Sequence, residues 1–146
     1  MRVAVFSDIH AHADALDAML RAAVAARVDQ LWCLGDMLGT GPDGAHVVSR
    51  VRSFCTVALL GNHDYVVEAR VGLSPEVLEW MRRRRPAARR QGVQCWHGGP
   101  RNPVREYVTA ANAAECLAVQ REDLGLVGHT HAVAAFRAGE RREYCR

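Results

Sequence analysis

The chain has 146 residues, of which 49% are hydrophobic and 24% charged, and its formal net charge at pH 7 is +3. This length fits one domain and is too short for two, so we expect a single domain over residues 1–146. The composition excludes a disordered or fibrous protein. No apolar run reaches the roughly 20 residues of a membrane span and residues 1–6 do not resemble a signal peptide, so we expect no membrane association and a cytoplasmic location.

Strands and helices alternate along the first half of the sequence. Residues 3–6 are a short apolar run, which predicts a buried strand ending at Ser7-Asp8. Residues 13–26 repeat apolar side chains with a helical period, and residues 30–34 predict a second strand that stops at Gly35-Asp36. A glycine-rich turn then precedes a predicted helix over 45–54, and residues 56–60 predict a third strand ending at Gly61-Asn62.

The same alternation continues in the second half. Ser74 and Pro75 predict a capped helix that runs into an arginine cluster, 82–85 with 89 and 90, and Pro86 ends or kinks it. Strands are predicted over 93–96 and 124–127, with a helix between them that Thr109 caps and that reaches residue 119. A hairpin is predicted from 133–136 and 141–145. This order predicts an α/β fold, in which ligands bind where strands end.

Side chains that can bind metals follow each of five predicted strands. Five of the seven histidines stand at these strand ends, beside two aspartates and an asparagine. The whole set is Asp8, His10, Asp36, Asn62, His63, Asp64, His97, His129 and His131. Taken alone, each motif has a structural alternative: a surface pair for Asp8 and His10, a turn cap for Asp36, and a structural histidine for His97. Chance clustering of the whole set at strand ends is improbable.

The chemistry of these side chains indicates a site for transition metals. Asp8 and His10 stand two residues apart, so in extended backbone both face the same side. The two oxygens of Asp36 can bridge two cations about 3.5 to 4 Å apart. Asn62 can ligate through its carbonyl oxygen, and Asp64 can accept a hydrogen bond from His63 and hold it as a general acid. Imidazole and carboxylate ligands together suit Mn, Fe, Zn or Ni better than Mg or Ca.

The order of these motifs resembles that of the calcineurin-like metallophosphoesterases, whose pattern is DxH, GD, GNH[DE], H and GHxH. Every block of that pattern is present, and together they cover almost the entire chain: Asp8-Ile9-His10, Gly35-Asp36, Gly61-Asn62-His63-Asp64, His97 and Gly128-His129-Thr130-His131. The stretch from His97-Gly98-Gly99-Pro100 to Pro103, followed by Tyr107, is similar to the small bacterial and archaeal phosphodiesterase branch.

The resemblance implies a four-layer αββα sandwich, in which two mixed sheets are flanked by helices and two divalent metal ions lie at the strand ends. It implies one metal held by Asp8, His10, Asp36 and His131. The other metal would be held by Asp36, Asn62, His97 and His129. We expect manganese, with iron, zinc, nickel or cobalt as alternatives.

The activity that the resemblance implies is phosphodiester hydrolysis on a small phosphoester substrate. A hydroxide shared by the metals would attack phosphorus in line, and His63, supported by Asp64, would protonate the leaving oxygen. A phosphomonoesterase, a protein phosphatase or a dinucleoside polyphosphate hydrolase with the same centre remains an alternative. A non-enzymatic alternative is a retromer-type interaction scaffold, although such proteins lack the histidine that stands here as His63.

Several features depart from the family pattern or carry no assigned chemistry. Ala11-His12 replaces the usual glycine and asparagine, and Thr40 replaces a tyrosine common in that branch. His12 is predicted either to touch substrate or to begin a surface helix. The arginine cluster is interpreted as a solvated helix end, so nucleic acid is not an expected partner, and the sequence predicts no oligomeric state. Five scattered cysteines without CxxC spacing are expected to be free thiols.

Overall fold

A computed structural model describes residues 1–66 and 72–138 of the chain. Within these residues the strands are β1 (Val3–Phe6), β2 (Gln30–Cys33), β3 (Val57–Ala58), β4 (Ala87–Arg90), β5 (Val93–Trp96) and β6 (Leu124–Val127). The helices are α1 (Ala13–Ala25), α2 (Gly44–Phe54), α3 (Pro75–Arg82) and α4 (Ala113–Val119), with a short 3-10 helix at His63–Tyr65.

The strands form two three-stranded sheets, ordered β1-β2-β3 and β4-β5-β6. The first sheet is parallel, with Val3 opposite Gln30 and Trp32 opposite Val57. The second is mixed, because β4 runs antiparallel to β5 whereas β6 runs parallel to it. Parallel pairing brings the carboxyl ends of β1, β2 and β3 to one edge, and those of β5 and β6 to another. These two edges carry the predicted metal ligands.

Alternation of side chains along β2 separates the two halves of the core. Trp32 is buried in a cluster between the sheets, which consists of Trp32, Leu34, Val57, Leu59 and Cys95 with Val3, Ala88, Val93 and Leu126 packed against it. Cys33 points to the opposite face and packs among residues of the first three helices, including Leu16, Val48 and Met81. Since successive strand residues face opposite sides, one sheet contributes to both clusters. The result is the predicted sandwich with helices outside the sheets.

Most predicted elements are present, and two predictions need correction. Residues 87–90, which were not predicted as a strand, form β4 at the edge of the second sheet, where Arg89 and Arg90 are exposed. An edge strand with one solvated face tolerates such charges. Thr109 does not cap α4, which begins at Ala113. Instead, the Thr109 carbonyl accepts from the main-chain N–H groups of Asn112 and Ala113 in a preceding turn.

The remaining predictions about local structure divide into confirmed and untested ones. Ser74 caps α3 by accepting from the Val77 N–H group, and Pro75 is the first helical residue. Residues 133–136 are not in a strand, and the other half of the predicted hairpin, residues 139–146, lies outside the described residues. Cys33, Cys55, Cys95 and Cys116 are free thiols. Among residues 1–66 and 72–138, no helix has both the length and the apolar character needed to cross a membrane.

Candidate metal centre

The predicted ligands meet because main-chain hydrogen bonds join the loops that follow the strands. The Asp8 N–H group donates to the Gly35 carbonyl at 3.0 Å, which joins the loops after β1 and β2. In the second sheet, the Gly128 N–H group donates to the His97 carbonyl at 2.9 Å. The His129 N–H group donates to Asp8 Oδ2 at 2.9 Å, across 121 residues of sequence. This last bond joins the strand ends of the two sheets.

One group of possible ligands consists of Asp8, His10 and His131. His131 Nε2 lies 3.3 Å from Asp8 Oδ1 and 3.1 Å from His10 Nε2. Asp8 Oδ1 is buried and accepts no hydrogen bond from any residue that the structure describes. A buried carboxylate oxygen without a hydrogen-bond donor is costly, and a cation would satisfy it. This group therefore fits a divalent cation.

A second group consists of the buried side chains of Asp36, His97 and His129. His97 Nδ1 lies 3.0 Å from the Leu34 carbonyl, to which it must donate, so His97 Nε2 presents a lone pair. That Nε2 faces the Asn62 carbonyl oxygen at 3.1 Å and Asp36 Oδ2 at 3.5 Å. Three electron-pair donors that face each other repel unless a cation lies among them. His129 Nε2 is also buried without a partner among the described residues.

Asp36 belongs to both surroundings. Its Oδ2 atom is 3.8 Å from His10 Nε2 and 3.5 Å from His97 Nε2. Its Oδ1 atom accepts from the His63 N–H group at 2.8 Å, which orients the carboxylate. The side chain is only 1% exposed. Burial, with a smaller contribution from the charge of Asp8, raises the pKa of Asp36 to about 6. A cation that replaced the lost hydration would stabilise the ionised carboxylate.

The imidazoles of the centre are disposed to be neutral at physiological pH. Burial lowers the pKa of His97 to about 4, and it also lowers the pKa of His10 and of His129. Neutral imidazole is the form that binds a metal ion. In His129, the ring also makes a hydrogen bond to the Arg105 carbonyl, which fixes the orientation of the ring. The donor set therefore fits a transition metal such as manganese, iron or zinc.

His63 and Asp64 occupy different surroundings although they are adjacent. The His63 ring is half-buried and packs edge-to-face on His10, with centroids 4.7 Å apart. Asp64 is fully buried, and its two oxygens accept from the Leu38 and Gly61 N–H groups, both at 2.9 Å. Asp64 thus joins the loops after β2 and β3. A hydrogen bond from the His63 ring to Asp64 stays a prediction.

The local backbone explains why glycine precedes several of these ligands. A Cβ atom on Gly61 would lie 2.6 Å from Asp36 Cγ, so any side chain there would displace the carboxylate. Gly35 has a φ of +106°, a conformation that L-amino acids rarely adopt. The site residues themselves have positive φ angles, between 50° and 67°: Asp8, His10, Asp36, His129 and His131. Such strain is characteristic of functional sites.

Tyr107 is part of the site, although the sequence assigned it no role. Its ring stacks on His129 with centroids 4.0 Å apart and an interplanar angle of 25°. His129 is 6% exposed and Tyr107 is 57% exposed, so the tyrosine forms the solvent side of this stack. An aromatic residue a few positions after His97-Gly98-Gly99 was the available signal. His12, in contrast, is exposed at the start of α1, and contact between it and substrate stays a prediction.

Comparisons with known proteins agree with this geometry. A protein from Methanocaldococcus jannaschii, itself uncharacterized, is 37% identical over 65 residues, which are 44% of this chain and 27% of that protein. A metallophosphoesterase from Sphaerobacter thermophilus superposes with a TM-score of 0.83 and 32% identity, over 90% of this chain and 61% of that one. The chain thus spans less than two thirds of either relative.

Another similar crystal structure is that of a hypothetical protein from Pyrococcus horikoshii. It has a TM-score of 0.71 over 91% of this chain and 71% of that one, and at 15% identity it supports the fold alone. The model of the calcineurin-like phosphoesterase superfamily domain matches residues 1–143. Together with the donor groups that suit divalent metals, this match identifies a metal-dependent phosphoesterase. The chain therefore belongs to the calcineurin-like phosphoesterase superfamily.

Proposed function

We propose that the protein is a phosphodiesterase that uses two divalent cations held on either side of Asp36. Asp8, His10, Asp36 and His131 would hold one cation. The other would be held by Asp36, Asn62, His97 and His129. The observation that carries this proposal is the position of Asp36 Oδ2, 3.8 Å from His10 Nε2 and 3.5 Å from His97 Nε2, with further donors beyond each imidazole. Manganese is the expected metal.

The chain's own residues prepare the site for this reaction. When bound, the cations supply Lewis acidity that makes water a nucleophile near neutral pH and neutralises charge on the phosphoryl oxygens. Asp36 and Asp8 keep the site anionic, so that it attracts cations. His97 and Asn62 stay oriented because His97 Nδ1 is held by the Leu34 carbonyl. Orientation of ligands by such outer contacts raises metal affinity.

His63 is the proposed proton donor to the leaving oxygen. Its main chain is anchored to Asp36 and its ring rests on His10, so the imidazole stands beside the phosphate position while it remains partly open to solvent. A general acid in such a position typically contributes about 10²- to 10⁴-fold to the rate. Asp64 acts as a positioning residue, since it ties the Gly61 main chain to that of Leu38. The presence of His63 argues against the scaffold alternative.

The openness of the centre supports a diester substrate. A phosphodiester carries two organic groups, which need space on both sides of phosphorus. His131 is 59% exposed, so the centre opens to solvent on that side. In the segment between His63 and His97, helix α3 packs into the core beside α2 through Met81 rather than extending over the ligands. The His97–Pro103 stretch, similar to the phosphodiesterase branch, adds to this support.

The decisive experiment loads metal-free protein with Mn, Co, Ni, Zn or Mg in turn. We expect about two bound equivalents of a transition metal by mass spectrometry, since each side of Asp36 offers its own donors. We also expect hydrolysis of an aryl phosphodiester to return, at a higher kcat/KM than that of the matching aryl phosphomonoester. Activity in excess chelator without bound metal, a single equivalent at saturation, or faster monoester turnover would contradict the proposal.

A further inference from the structure

A second concave surface lies apart from the metal centre, on the side of the sandwich where β3 is the edge strand. It has a volume of about 290 Å³, and its walls are residues 56–59 and the segment that joins α3 to β4. Five arginines line it: Arg83, Arg84, Arg85, Arg89 and Arg90. We call it the arginine groove. None of the proposed metal ligands contributes to its lining.

The arginine groove carries positive charge that nearby acids do not neutralise. Arg83 pairs with Glu79 at 3.0 Å, and Arg89 pairs with Glu122. In the part of the chain that the structure describes, Arg84, Arg85 and Arg90 have no acidic partner. Several like charges in one concavity repel each other, and an anionic ligand would relieve this repulsion.

Arg84 shows that the groove also has an unmet hydrogen-bonding need. Its guanidinium lies over the Trp80 ring, 5.1 Å from the centroid, which holds the side chain in place. Its Nε atom is buried and makes no hydrogen bond to any described residue. A buried donor without an acceptor costs about 1–3 kcal/mol, and a ligand oxygen would remove that cost. The groove therefore suits a ligand that brings both negative charge and acceptor oxygens.

The arrangement favours a chain of phosphates over a single anion. Arg85 and Arg90 flank the four residues of β4, which at about 3.3 Å per residue keeps the two ends roughly 13 Å apart. One phosphate cannot contact both ends. The planar guanidinium matches phosphate oxygens in a two-pronged geometry, so arginine is the residue suited to this ligand. A groove of this volume admits a sugar-phosphate strand and is too small for a duplex.

We propose that the arginine groove binds the phosphodiester backbone of a single-stranded nucleic acid. One wall of the groove adjoins the metal centre, because the Leu60 N–H group, two residues before Asn62, donates to the Arg85 carbonyl at 3.0 Å. A strand held in the groove lies next to the loops of the proposed ligands. The proposal concerns binding alone and is independent of the proposed function.

The test measures binding of a fluorescent single-stranded DNA of about 12 nucleotides, a length that suits a short strand-binding site. Anisotropy is recorded on the full chain in excess chelator, so that neither metal nor hydrolysis contributes. The test variant is Arg85→Gln/Arg90→Gln, since both side chains are exposed. The matched control is Arg21→Gln/Arg27→Gln, which removes the same charge from exposed positions in and after α1. Thermal unfolding checks that all variants fold.

We expect the groove variant to weaken binding at least tenfold and to reduce the slope of log Kd against log salt by about two, one for each lost phosphate contact. The control should change Kd by less than about threefold, and turnover of a small diester should be unchanged in the groove variant because exposed charges are screened within about 10 Å. Equal losses in both variants, tighter binding of the matching duplex, or displacement by an acidic peptide at equal charge would overturn the proposal.

Discussion

Asp36 and His63 touch each other but have different proposed roles, and single substitutions can separate them. Asp36→Ala removes the carboxylate proposed to serve both cations, so we expect loss of bound metal together with loss of turnover. His63→Asn removes a proton donor that is not a proposed ligand. It should keep near-native metal content and lose about 10²- to 10⁴-fold in kcat, with a smaller loss on substrates whose leaving groups need no proton.

Metal content by mass spectrometry and turnover on good and poor leaving groups distinguish these roles. His46→Asn, at an exposed position of α2, is the control for a generic loss of one imidazole. The His63 Nδ1 or Nε2 atom can come within 4.8 Å of ligand atoms of His10 and Asp36, so a ligand role is the competing hypothesis. Loss of metal from His63→Asn would favour that hypothesis and contradict the division of roles.

Asp64 predicts a pH dependence of stability in metal-free protein. Burial raises the pKa of Asp64 to about 7, above its value of about 3.9 in an unfolded chain. The folded state therefore holds the proton more tightly, and its stability is greatest below about pH 4 and falls as the pH rises to about 7. Urea unfolding in chelator across this range should show a shallower fall in Asp64→Asn. Exposed Asp14→Asn is the control, and an unchanged slope in Asp64→Asn would contradict the prediction.

At the scale of elements, the loop between β5 and α4 is built to hold one ligand. Glu106 accepts hydrogen bonds from the Arg101 N–H group at 2.9 Å and the Asn102 N–H group at 3.3 Å. A Cβ atom on Gly98 would lie 2.7 Å from the Asn102 carbonyl oxygen, so only glycine permits this tight winding. The loop carries Tyr107 to the face of His129. It therefore acts as a clamp on that imidazole.

We expect Tyr107→Ala to weaken metal binding, because the stack restrains the His129 ring and outer contacts of this kind typically contribute 10- to 100-fold to metal affinity. Calorimetric titration of metal into chelator-stripped protein should show an affinity about tenfold lower or more for one of the two equivalents. Tyr107→Phe keeps the ring and should bind metal normally. If Tyr107→Ala bound metal normally while KM alone rose, Tyr107 would be a substrate contact instead of a positioning residue.

Local signals predicted some elements well and others poorly. Ser74 and Pro75 predicted the start of α3, since a cap and a first-turn proline act within one turn of helix. Thr109 misled for the same reason, because Asn112 three residues later takes up the Thr109 N–H group at 2.7 Å and forms a turn. Residues 87–90 were missed since their arginines suit an edge strand only once β5 lies beside them.

At the scale of the whole molecule, the site exists because two sheets meet at their carboxyl ends. Asp8 follows β1 in the first sheet and His129 follows β6 in the second, yet a direct hydrogen bond joins them. The cluster between the sheets around Trp32 and Leu126 holds these ends in register. Every proposed ligand thus depends on packing far from itself. Buried apolar contacts of this kind supply most of the free energy that holds a fold together.

The sequence by itself determined the α/β order, the strand ends at which ligands stand, and the family, because each of these depends on local periodicity or on short motifs. Only the tertiary structure decided which donors face one another, that Asp36 Oδ2 lies between two imidazoles, and that Asp64 binds main chain in two loops. It also decided that Tyr107 clamps His129 and that five arginines line one groove. These are contacts across many residues, and they form only when strand pairing and sheet packing bring distant segments together.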